Sequence, residues 1–357
     1  MMSVEEVLDL VRPNIQDLLP YSSARDEYKG NEGVFLDANE NGFGSPVNPF
    51  VNRYPDPLQH EVKKQLAAIK NVSTNQIFLG NGSDESIDVL LRTFCTPGRD
   101  EVIILPPTYG MYEVAAHIHD VEIKKVLLDD NFQPIVENIL QQITLQTRII
   151  FFCSPNNPTG NLMYPSAIEE ILKQFRGIVV VDEAYIDYTQ KSSWLQHLNN
   201  YPNLVVLQTL SKAWGLAGIR VGMTFAHPGI IAVMNKVKMP YNISSVTQEL
   251  VLKSLKNQQF FQNTIEQTRN EKEKLIEKLQ KLSALKKIYP SDANFILLKM
   301  ENADEVYKKL TEKKIIVRNR SKVEKCEGCL RITIGTPGEN LALLEALSEI
   351  IAIPCPK

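Results

Sequence analysis

The chain is 357 residues long, 43% of them hydrophobic, and its formal net charge is −3. That length and hydrophobic content can form a sizeable core and more than one domain. Acidic and basic residues are interspersed, and no apolar run reaches the roughly 18–20 residues that span a bilayer. Nucleic-acid and membrane partners are therefore excluded, and a small-molecule partner is expected.

Residues 1–30 form a polar arm with a short helical pattern from Val4 to Val11. The pattern ends at Pro13, and the acidic residues within it argue against a signal peptide. Such an arm is either frayed or docked on a partner. The arm by itself leaves open whether Tyr21 is a surface residue or part of a lid.

A glycine-rich turn, Phe78–Ser86, opens a predicted helix whose apolar stripe continues to Phe94. The first amides of a helix and the positive end of its dipole bind anions. The turn therefore predicts an anion site at Gly82, Ser83 and Asp84, although a serine N-cap on a surface helix is the simpler alternative. The motif is neither a P-loop nor GxGxxG, so nucleotide binding is not supported.

Strands and helices alternate through the next part of the chain. Apolar runs predict strands at Glu101–Leu105, Val121–Leu128, Ile149–Cys153, Ile178–Tyr185, Leu204–Leu207 and Val221–Phe225, with a helix at about 165–175. Continuous Val and Ile runs separated by helices indicate an α/β fold with a mostly parallel sheet covered on both faces. Ligands of such sheets bind beyond the carboxyl ends of the strands. The polar residues at those ends include Asn157, Asp182, Tyr185 and Lys212.

Lys212 lies just past the predicted strand Leu204–Leu207, among small and apolar residues. A lysine in this setting suits a Schiff base with an aldehyde cofactor, because desolvation and nearby cations make its free amine accessible. Thr209, Ser211 and Arg220 could together hold a phosphate of that cofactor. The alternative is a lysine on an ordinary loop after a buried strand.

Asp182 ends an otherwise apolar strand, where a carboxylate is costly unless it is paired. It could pair with a protonated pyridine nitrogen, so that the ring absorbs the electrons of a carbanion. Tyr185 and Asn157 could donate to a phenolic oxygen on the same ring, and Tyr109 could stack on its face. Each of these residues is also plausible as a core or turn residue.

After Pro240 the sequence indicates a smaller α/β domain. Ile265–Leu282 predicts one long charged helix, and strands are predicted at Ala293–Leu298, Ile315–Arg318 and Leu330–Ile334. The predicted organisation is an N-terminal arm at 1–30, packed on the small domain or a partner, a large domain at 31–242 and a small domain at 243–357.

Five cysteines, an odd number and mostly scattered, indicate a reducing cytosol, so a cytoplasmic protein is expected. Cys326 and Cys329 form a lone CxxC without a second pair or nearby histidines, which argues against zinc. The five histidines are also scattered, so no metal site is predicted.

Several motifs in order along the chain resemble one known family. They are Asn39-Glu-Asn41, Arg53-Tyr-Pro55, Gly80–Glu85, Pro106–Tyr112, Cys153–Gly160, Val181–Ile186, Thr209–Lys212 and Cys329–Gly335. The chain resembles the fold-type I pyridoxal-phosphate aminotransferases of the aspartate aminotransferase superfamily. Within that superfamily it is similar to the histidinol-phosphate aminotransferase subfamily, from about residue 20 to the C-terminus. Trp214, where relatives often have Phe, and Asn319, where Asp is expected, are departures outside the proposed chemistry.

The resemblance implies a large domain that binds pyridoxal phosphate and a smaller C-terminal domain. Lys212 would hold the cofactor and shuttle a proton, Asp182 would bind the ring nitrogen, and Tyr185 and Asn157 the ring oxygen. Tyr109 would stack on the ring. The phosphate would be held by the turn at Gly82, Ser83 and Asp84, by Thr209, Ser211 and Arg220, and by Tyr54 from the other subunit of a homodimer.

The substrate pocket implied by the resemblance accepts a phosphorylated amine in one half-reaction and glutamate or 2-oxoglutarate in the other. Its implied residues are Tyr21, Asn39, Asn294, Arg318 and Arg331. Arginine suits both substrates because its fork pairs with phosphate or carboxylate. The implied activity is transamination of histidinol phosphate in histidine biosynthesis.

Other functions remain open at this point. Threonine-phosphate decarboxylases and aromatic amino-acid aminotransferases resemble the same subfamily. A ligand-binding regulatory module with an aminotransferase-like domain is a more remote alternative, because about 30 residues before the first motif leave little room for a DNA-binding domain of the usual ~50 residues.

Overall fold

The computed structural model describes residues 2–21, 33–47 and 49–352. These residues form two sheets, and the larger one has seven strands. These strands are β1 (Ile77–Asn81), β2 (Glu101–Ile104), β3 (Glu122–Lys125), β4 (Thr147–Cys153), β5 (Ile178–Asp182), β6 (Leu204–Thr209) and β7 (Val221–Ala226). Their order across the sheet is β1-β7-β6-β5-β4-β2-β3. Strand β7 is antiparallel to both neighbours and the remaining pairs are parallel, which confirms the mostly parallel sheet.

Twelve α-helices lie within the described residues. They are α1 (Val4–Leu8), α2 (Pro13–Gln16), α3 (His60–Lys70), α4 (Gly82–Phe94), α5 (Met111–Ile118), α6 (Val136–Gln142), α7 (Pro165–Gln174), α8 (Pro228–Val237), α9 (Ser245–Leu255), α10 (Gln258–Leu279), α11 (Ala303–Glu312) and α12 (Pro337–Ala352). Ten of the twelve, α1 to α10, contribute buried residues to the two faces of this sheet, and α11 and α12 pack on the second sheet described below. None of these described helices is long and apolar enough to cross a bilayer.

Alternate residues of one strand contribute to different cores. In β5, Val179 and Val181 belong to the cluster that also contains α7 and α9 residues, whereas Ile178 and Val180 belong to the cluster with α4 and α8 residues. Because both faces are buried, the strand is apolar at successive positions. Each fully buried Val or Ile contributes roughly 1.5–3 kcal/mol, so Asp182 at the end of β5 is the costly exception.

A second, antiparallel sheet has the order β10-β11-β9-β8 among the described residues. Its strands are β8 (Leu285–Ile288), β9 (Phe295–Met300), β10 (Arg318–Asn319) and β11 (Cys329–Thr333). Helices α10, α11 and α12 contribute its apolar core. Phe295 and Leu297 of β9 pack instead into a core of the larger sheet, so the two sheets share buried side chains. The division at 242 and 243 stays a prediction.

Several element predictions were wrong in their limits, among them the strand predicted at Val121–Leu128, which is Glu122–Lys125, and one strand was missed. The strand predicted at Ile315–Arg318 begins only at Arg318, because Lys314 turns the chain in a left-handed conformation after α11 and Ile316 is exposed. The long helix begins at Gln258, before the predicted Ile265. Strand β1, inside the predicted glycine-rich turn, was not foreseen, because its apolar run of three residues is short.

Candidate active site

An open cleft of ≈ 500 Å³ lies at the carboxyl edge of the larger sheet, against β10 and β11. The edge is formed by the ends of β1, β4, β5 and β6, which point the same way, and by the start of the antiparallel β7. Thirteen predicted site residues line it: Gly82, Ser83, Asp84, Tyr109, Asn157, Asp182, Tyr185, Thr209, Ser211, Lys212, Arg220, Arg318 and Arg331.

Lys212 follows β6 in a turn that brings its amine into the cleft. The Leu210 amide donates to the Val221 carbonyl at 3.0 Å, which ties the start of this turn to β7. Lys212 is accessible through the mouth of the cleft, yet the walls remove enough water to lower the pKa of its amine. The cations Arg331 and Arg220 lower that pKa further. The lysine is thus prepared to react as a free amine.

Asp182 at the end of β5 is buried, and burial raises the pKa of its carboxyl to about 6. Two donors oppose that shift: the Tyr112 hydroxyl at 2.7 Å from Oδ2, and the Ala184 amide at 3.1 Å from Oδ1. Tyr112 is itself buried and stacks on Phe151 with ring centroids 4.7 Å apart. The Tyr112 hydroxyl thus holds the carboxylate in place. Tyr112 was not predicted as a site residue, because nothing in the sequence around it indicates contact with Asp182.

The start of α4 forms an anion cradle together with β7. The Gly82 amide donates to the Arg220 carbonyl at 3.0 Å, and the Arg220 guanidinium lies 3.4 Å from Ser211 Oγ and 3.3 Å from Asp84 Oδ2. A Cβ on Gly222 would lie 2.2 Å from the Ser83 nitrogen, so only glycine lets β7 approach the turn. The Gly82 amide is therefore already paired, and the start of α4 has the Ser83 and Asp84 amides, the helix dipole and the nearby arginine for a phosphate.

The residues predicted to contact the cofactor ring line the same cleft as Lys212 and this cradle. Tyr185 is buried, which raises the pKa of its hydroxyl, and the Lys212 Nζ is 5.6 Å from the Tyr185 ring centroid. Asn157 Oδ1 accepts a hydrogen bond from Arg331 Nη1. The Tyr109 hydroxyl donates to Asp84 Oδ1 at 3.0 Å, which fixes the Tyr109 ring beside the cleft.

Arg318, Arg320 and Arg331 line the far end of the cleft. Arg318 and Arg331 were predicted for the substrate, whereas Arg320 was missed. The available signal was its place two residues after Arg318, since residues at i and i+2 of a strand share a face. Arg331 also lies over Phe295, with 5.1 Å between the guanidinium carbon and the ring centroid.

Four predicted site residues do not line the cleft of their own chain: Tyr21, Asn39, Tyr54 and Asn294. Tyr21 is 72% exposed and Tyr54 is 52% exposed, with its ring stacked on Tyr241 at 4.5 Å. Asn39 is exposed in a left-handed backbone conformation. Asn294 is half-buried, and its side chain hydrogen-bonds with the Tyr188 hydroxyl. Their roles stay predictions, and residues 22–32 of the arm region lie outside the described residues.

The two departures from the expected motifs lie away from the cleft. Trp214 is buried and stacks on Phe261 with ring centroids 4.0 Å apart. The Asn319 amide donates to Asp304 Oδ1 at 2.6 Å. An aspartate at residue 319 would place two carboxylates together, so asparagine suits this contact.

Cys326 just before β11 and Cys329 at its start are buried free thiols in the core shared with the larger sheet. Burial raises the pKa of Cys326 to about 12 and that of Cys329 to about 11. Both thiols therefore stay protonated at neutral pH and are poor metal ligands. Within the described ranges, no group of three or more His, Cys, Asp and Glu residues could hold a metal ion.

The donor set fits pyridoxal phosphate. A desolvated amine, a buried carboxylate and an anion cradle are separate parts of one cleft, as an aldehyde, a ring nitrogen and a phosphate on one molecule require. The narrow approach at Gly222 supports the phosphate end, because a side chain there would collide with the Ser83 nitrogen, 2.2 Å from the Cβ position.

Comparisons with known proteins agree with this geometry. Residues 47–347 match the family described as aminotransferase class I and II. The histidinol-phosphate aminotransferase of Parabacteroides distasonis is 52% identical over 347 residues, which cover 97% of this chain and 99% of that relative. The one from Cytophaga hutchinsonii is 53% identical over 338 residues, covering 95% of this chain and 97% of that relative.

Solved structures share the fold. The histidinol-phosphate aminotransferase of Clostridium acetobutylicum has a TM-score of 0.78 at 25% identity, covering 84% of this chain and 91% of that one. The Sinorhizobium meliloti protein, solved in complex with pyridoxal-5'-phosphate, has a TM-score of 0.76 at 23% identity, covering 95% and 96%. The predicted resemblance is confirmed, and the chain belongs to the aminotransferase class I and II family, within which it is a member of the histidinol-phosphate aminotransferases.

Proposed function

We propose that this protein uses pyridoxal phosphate to transfer the amino group of L-histidinol phosphate to 2-oxoglutarate. The products are imidazole acetol phosphate and L-glutamate, and the reaction belongs to histidine biosynthesis. The observation that carries the proposal is one cleft that joins the Lys212 amine and the Asp182 carboxylate to an end lined by three arginines. A phosphate and a carboxylate both pair with such an end.

Bound pyridoxal phosphate supplies an electron sink for the substrate carbon that loses its proton. Lys212 removes that proton as a free amine, a form that its lowered pKa favours. A positioned base of this kind accelerates a reaction by about 10²–10⁴-fold. Asp182 holds the ring nitrogen, and its own orientation is fixed by Tyr112 and the Ala184 amide.

The other residues position the reacting groups. Arg220, Ser211 and the first amides of α4 hold the cofactor phosphate, which fixes the ring relative to Lys212. Tyr185 and Asn157 donate to the ring oxygen. Arg331 donates a hydrogen bond to Asn157. A substrate anion bound by Arg331 is therefore linked, through Arg331, to a residue that orients the ring.

We also propose a cytoplasmic homodimer with shared sites. Tyr54 does not line the cleft of its own chain, and it stacks on Tyr241, two residues after the exposed Met239. Large apolar side chains that remain exposed mark interaction surfaces. A second copy would cover them and bring Tyr54 to the phosphate cradle of the partner subunit.

A coupled assay tests the proposed reaction. Purified protein with histidinol phosphate and 2-oxoglutarate should form glutamate, and Lys212→Ala should abolish both this activity and the visible absorbance of the bound cofactor. Full turnover by the Lys212→Ala variant contradicts the assignment of the lysine. Release of CO₂ from threonine phosphate, without amino transfer, would replace the proposed reaction with a decarboxylation.

A further inference from the structure

Three guanidinium groups project from one face of the small sheet. Arg318 on β10 lies directly opposite Arg331 on β11. The Arg320 amide donates to the Cys329 carbonyl at 2.9 Å, which continues the ladder past the end of β10. Because side chains alternate along a strand, Arg318 and Arg320 share the face of Arg331, and Asn319 faces the other way.

Among the described residues, no carboxylate is one of the charges that shift the pKa of Arg320 or Arg331. The Nε atoms of Arg320 and Arg331 are buried and have no hydrogen-bond partner among the described residues. Desolvation, followed by the charge of Arg318, lowers the pKa of Arg320. Like charges on facing strands destabilise a sheet, so this cluster is an arrangement that an anion would stabilise.

The number of arginines exceeds the need of a carboxylate. A carboxylate has one negative charge and two oxygens, which one bidentate arginine and a neighbour satisfy. A phosphate monoester carries about −1.5 to −2 charges at pH 7 and has three terminal oxygens. One nitrogen of Arg331 already donates to Asn157. A third arginine therefore supplies the donors that the additional phosphate oxygen needs.

We propose that Arg320 binds the phosphate of the amine substrate and sets the preference for a phosphate over a carboxylate. This inference rests on the proposed function. Arg318 and Arg331 contact both substrates in turn, whereas Arg320 pairs with the additional phosphate oxygen. Its loss therefore affects the phosphorylated substrate far more than glutamate or 2-oxoglutarate.

The test is calorimetric titration of the holoenzyme with two ligands that lack the reacting amine. Imidazolylpropyl phosphate represents the phosphorylated substrate and glutarate represents the dicarboxylate. In Arg320→Gln, the Kd for imidazolylpropyl phosphate should rise about 10–100-fold, the loss expected for a charged hydrogen bond. The Kd for glutarate should stay within about threefold, since Arg318 and Arg331 already supply the pairs that a carboxylate needs.

Two further variants make the outcome specific. Arg320→Lys keeps the charge without the planar fork and should recover part of the phosphate affinity. Arg176→Gln removes an exposed arginine, paired with Glu6 at 3.2 Å outside the cleft, and should leave both Kd values unchanged. Retained glutarate binding also shows that Arg320→Gln is folded.

Equal weakening of both ligands in Arg320→Gln, or no weakening of either, overturns the role of Arg320. Failure of the wild-type protein to bind imidazolylpropyl phosphate overturns it as well. Failure of the wild-type protein to convert histidinol phosphate, while it binds imidazolylpropyl phosphate through Arg320, rejects the proposed reaction and retains the phosphate site.

Discussion

At the scale of single residues, the site depends on carboxylates that the fold buries. Asp182 ends the apolar strand β5, Glu183 follows it directly, and the two carboxyl groups have different surroundings. Asp182 faces the cleft and accepts from Tyr112. Glu183 accepts from the Trp194 amide at 2.7 Å and from Gln208 Nε2 at 2.9 Å. Asp182 is therefore available to a ligand, whereas Glu183 is enclosed by protein donors.

Tyr112→Phe should weaken the hold of the site on its cofactor. Without the hydroxyl, the pKa of Asp182 rises further above its present value of about 6, and less carboxylate is available to the ring nitrogen. A lost hydrogen bond to a charged group costs about 1.5–3 kcal/mol, so we expect roughly a tenfold or larger rise in cofactor Kd. The Kd is measured by fluorescence titration of the cofactor-free protein.

Tyr201→Phe is the matched control for that experiment. The Tyr201 hydroxyl donates to Glu169 at 3.1 Å away from the cleft, so its loss should leave cofactor affinity unchanged. Equal affinities of the two variants would show that Tyr112 only fills space.

Glu183 makes stability depend on pH. Burial raises the pKa of Glu183 from its ordinary 4.5 to about 7. Between these values the folded state binds a proton that the unfolded state has released, so the free energy of unfolding falls as pH rises through this window. Across this window the free energy of unfolding falls by about 3 kcal/mol, which corresponds to the rise in the pKa of Glu183.

Glu183→Gln should therefore flatten the decline in stability between pH 5 and 7.5, as followed by urea unfolding of the holoprotein. Glu169→Gln serves as control, because hydrogen bonding lowers the pKa of Glu169 and places its titration below this window. An unchanged slope in Glu183→Gln would mean that Glu183 is ionised throughout.

At the scale of elements, the sequence predicted helix α4 better than the strand before it. The stripe Ile87, Leu90, Leu91 and Phe94 is fully buried on α4, as its spacing predicted. Strand β1 was missed because three apolar residues are too few for a pattern. Its pairing with β7 is a long-range contact that local sequence does not encode.

Gly222→Ala should separate β7 from the start of α4. The new Cβ would lie 2.2 Å from the Ser83 nitrogen and 2.3 Å from the Gly82 carbonyl carbon. We expect the free energy of unfolding to fall by about 1–3 kcal/mol from overpacking. We also expect the cofactor Kd to rise, because the amides of the cradle move. Thermal unfolding and cofactor titration measure the two effects.

Gly338→Ala provides the comparison, since a Cβ there meets no atom within 4 Å and the residue lies in α12. It should leave cofactor affinity unchanged and stabilise the protein slightly, as alanine favours helix over glycine. Wild-type cofactor affinity in Gly222→Ala would show that the close approach has no part in phosphate binding.

At the scale of the whole molecule, the proposed dimer can be tested by complementation. Tyr54→Phe and Lys212→Ala subunits each lack one component of the site. If Tyr54 acts on the partner subunit, each hybrid dimer has one intact site. Random mixing at equal amounts should then restore about a quarter of the wild-type sites.

The assay is glutamate formation after the two variants are unfolded and refolded together. Each variant refolded alone is the control for its residual activity. Activity of the mixture no higher than the mean of the two controls would place Tyr54 outside the partner's site.

The sequence by itself determined the chemistry of this protein. Lys212, Asp182 and the glycine-rich turn are local signals, because a reactive group at a strand end is visible in its immediate neighbours. Apolar periodicity likewise predicted the mostly parallel sheet. Only the tertiary structure decided which polar residues meet: Tyr112 reaches Asp182 from 70 positions away, and the pairing of β10 with β11 places Arg320 beside Arg331. Such contacts depend on long-range strand and helix packing, which short-range patterns in a single sequence do not specify.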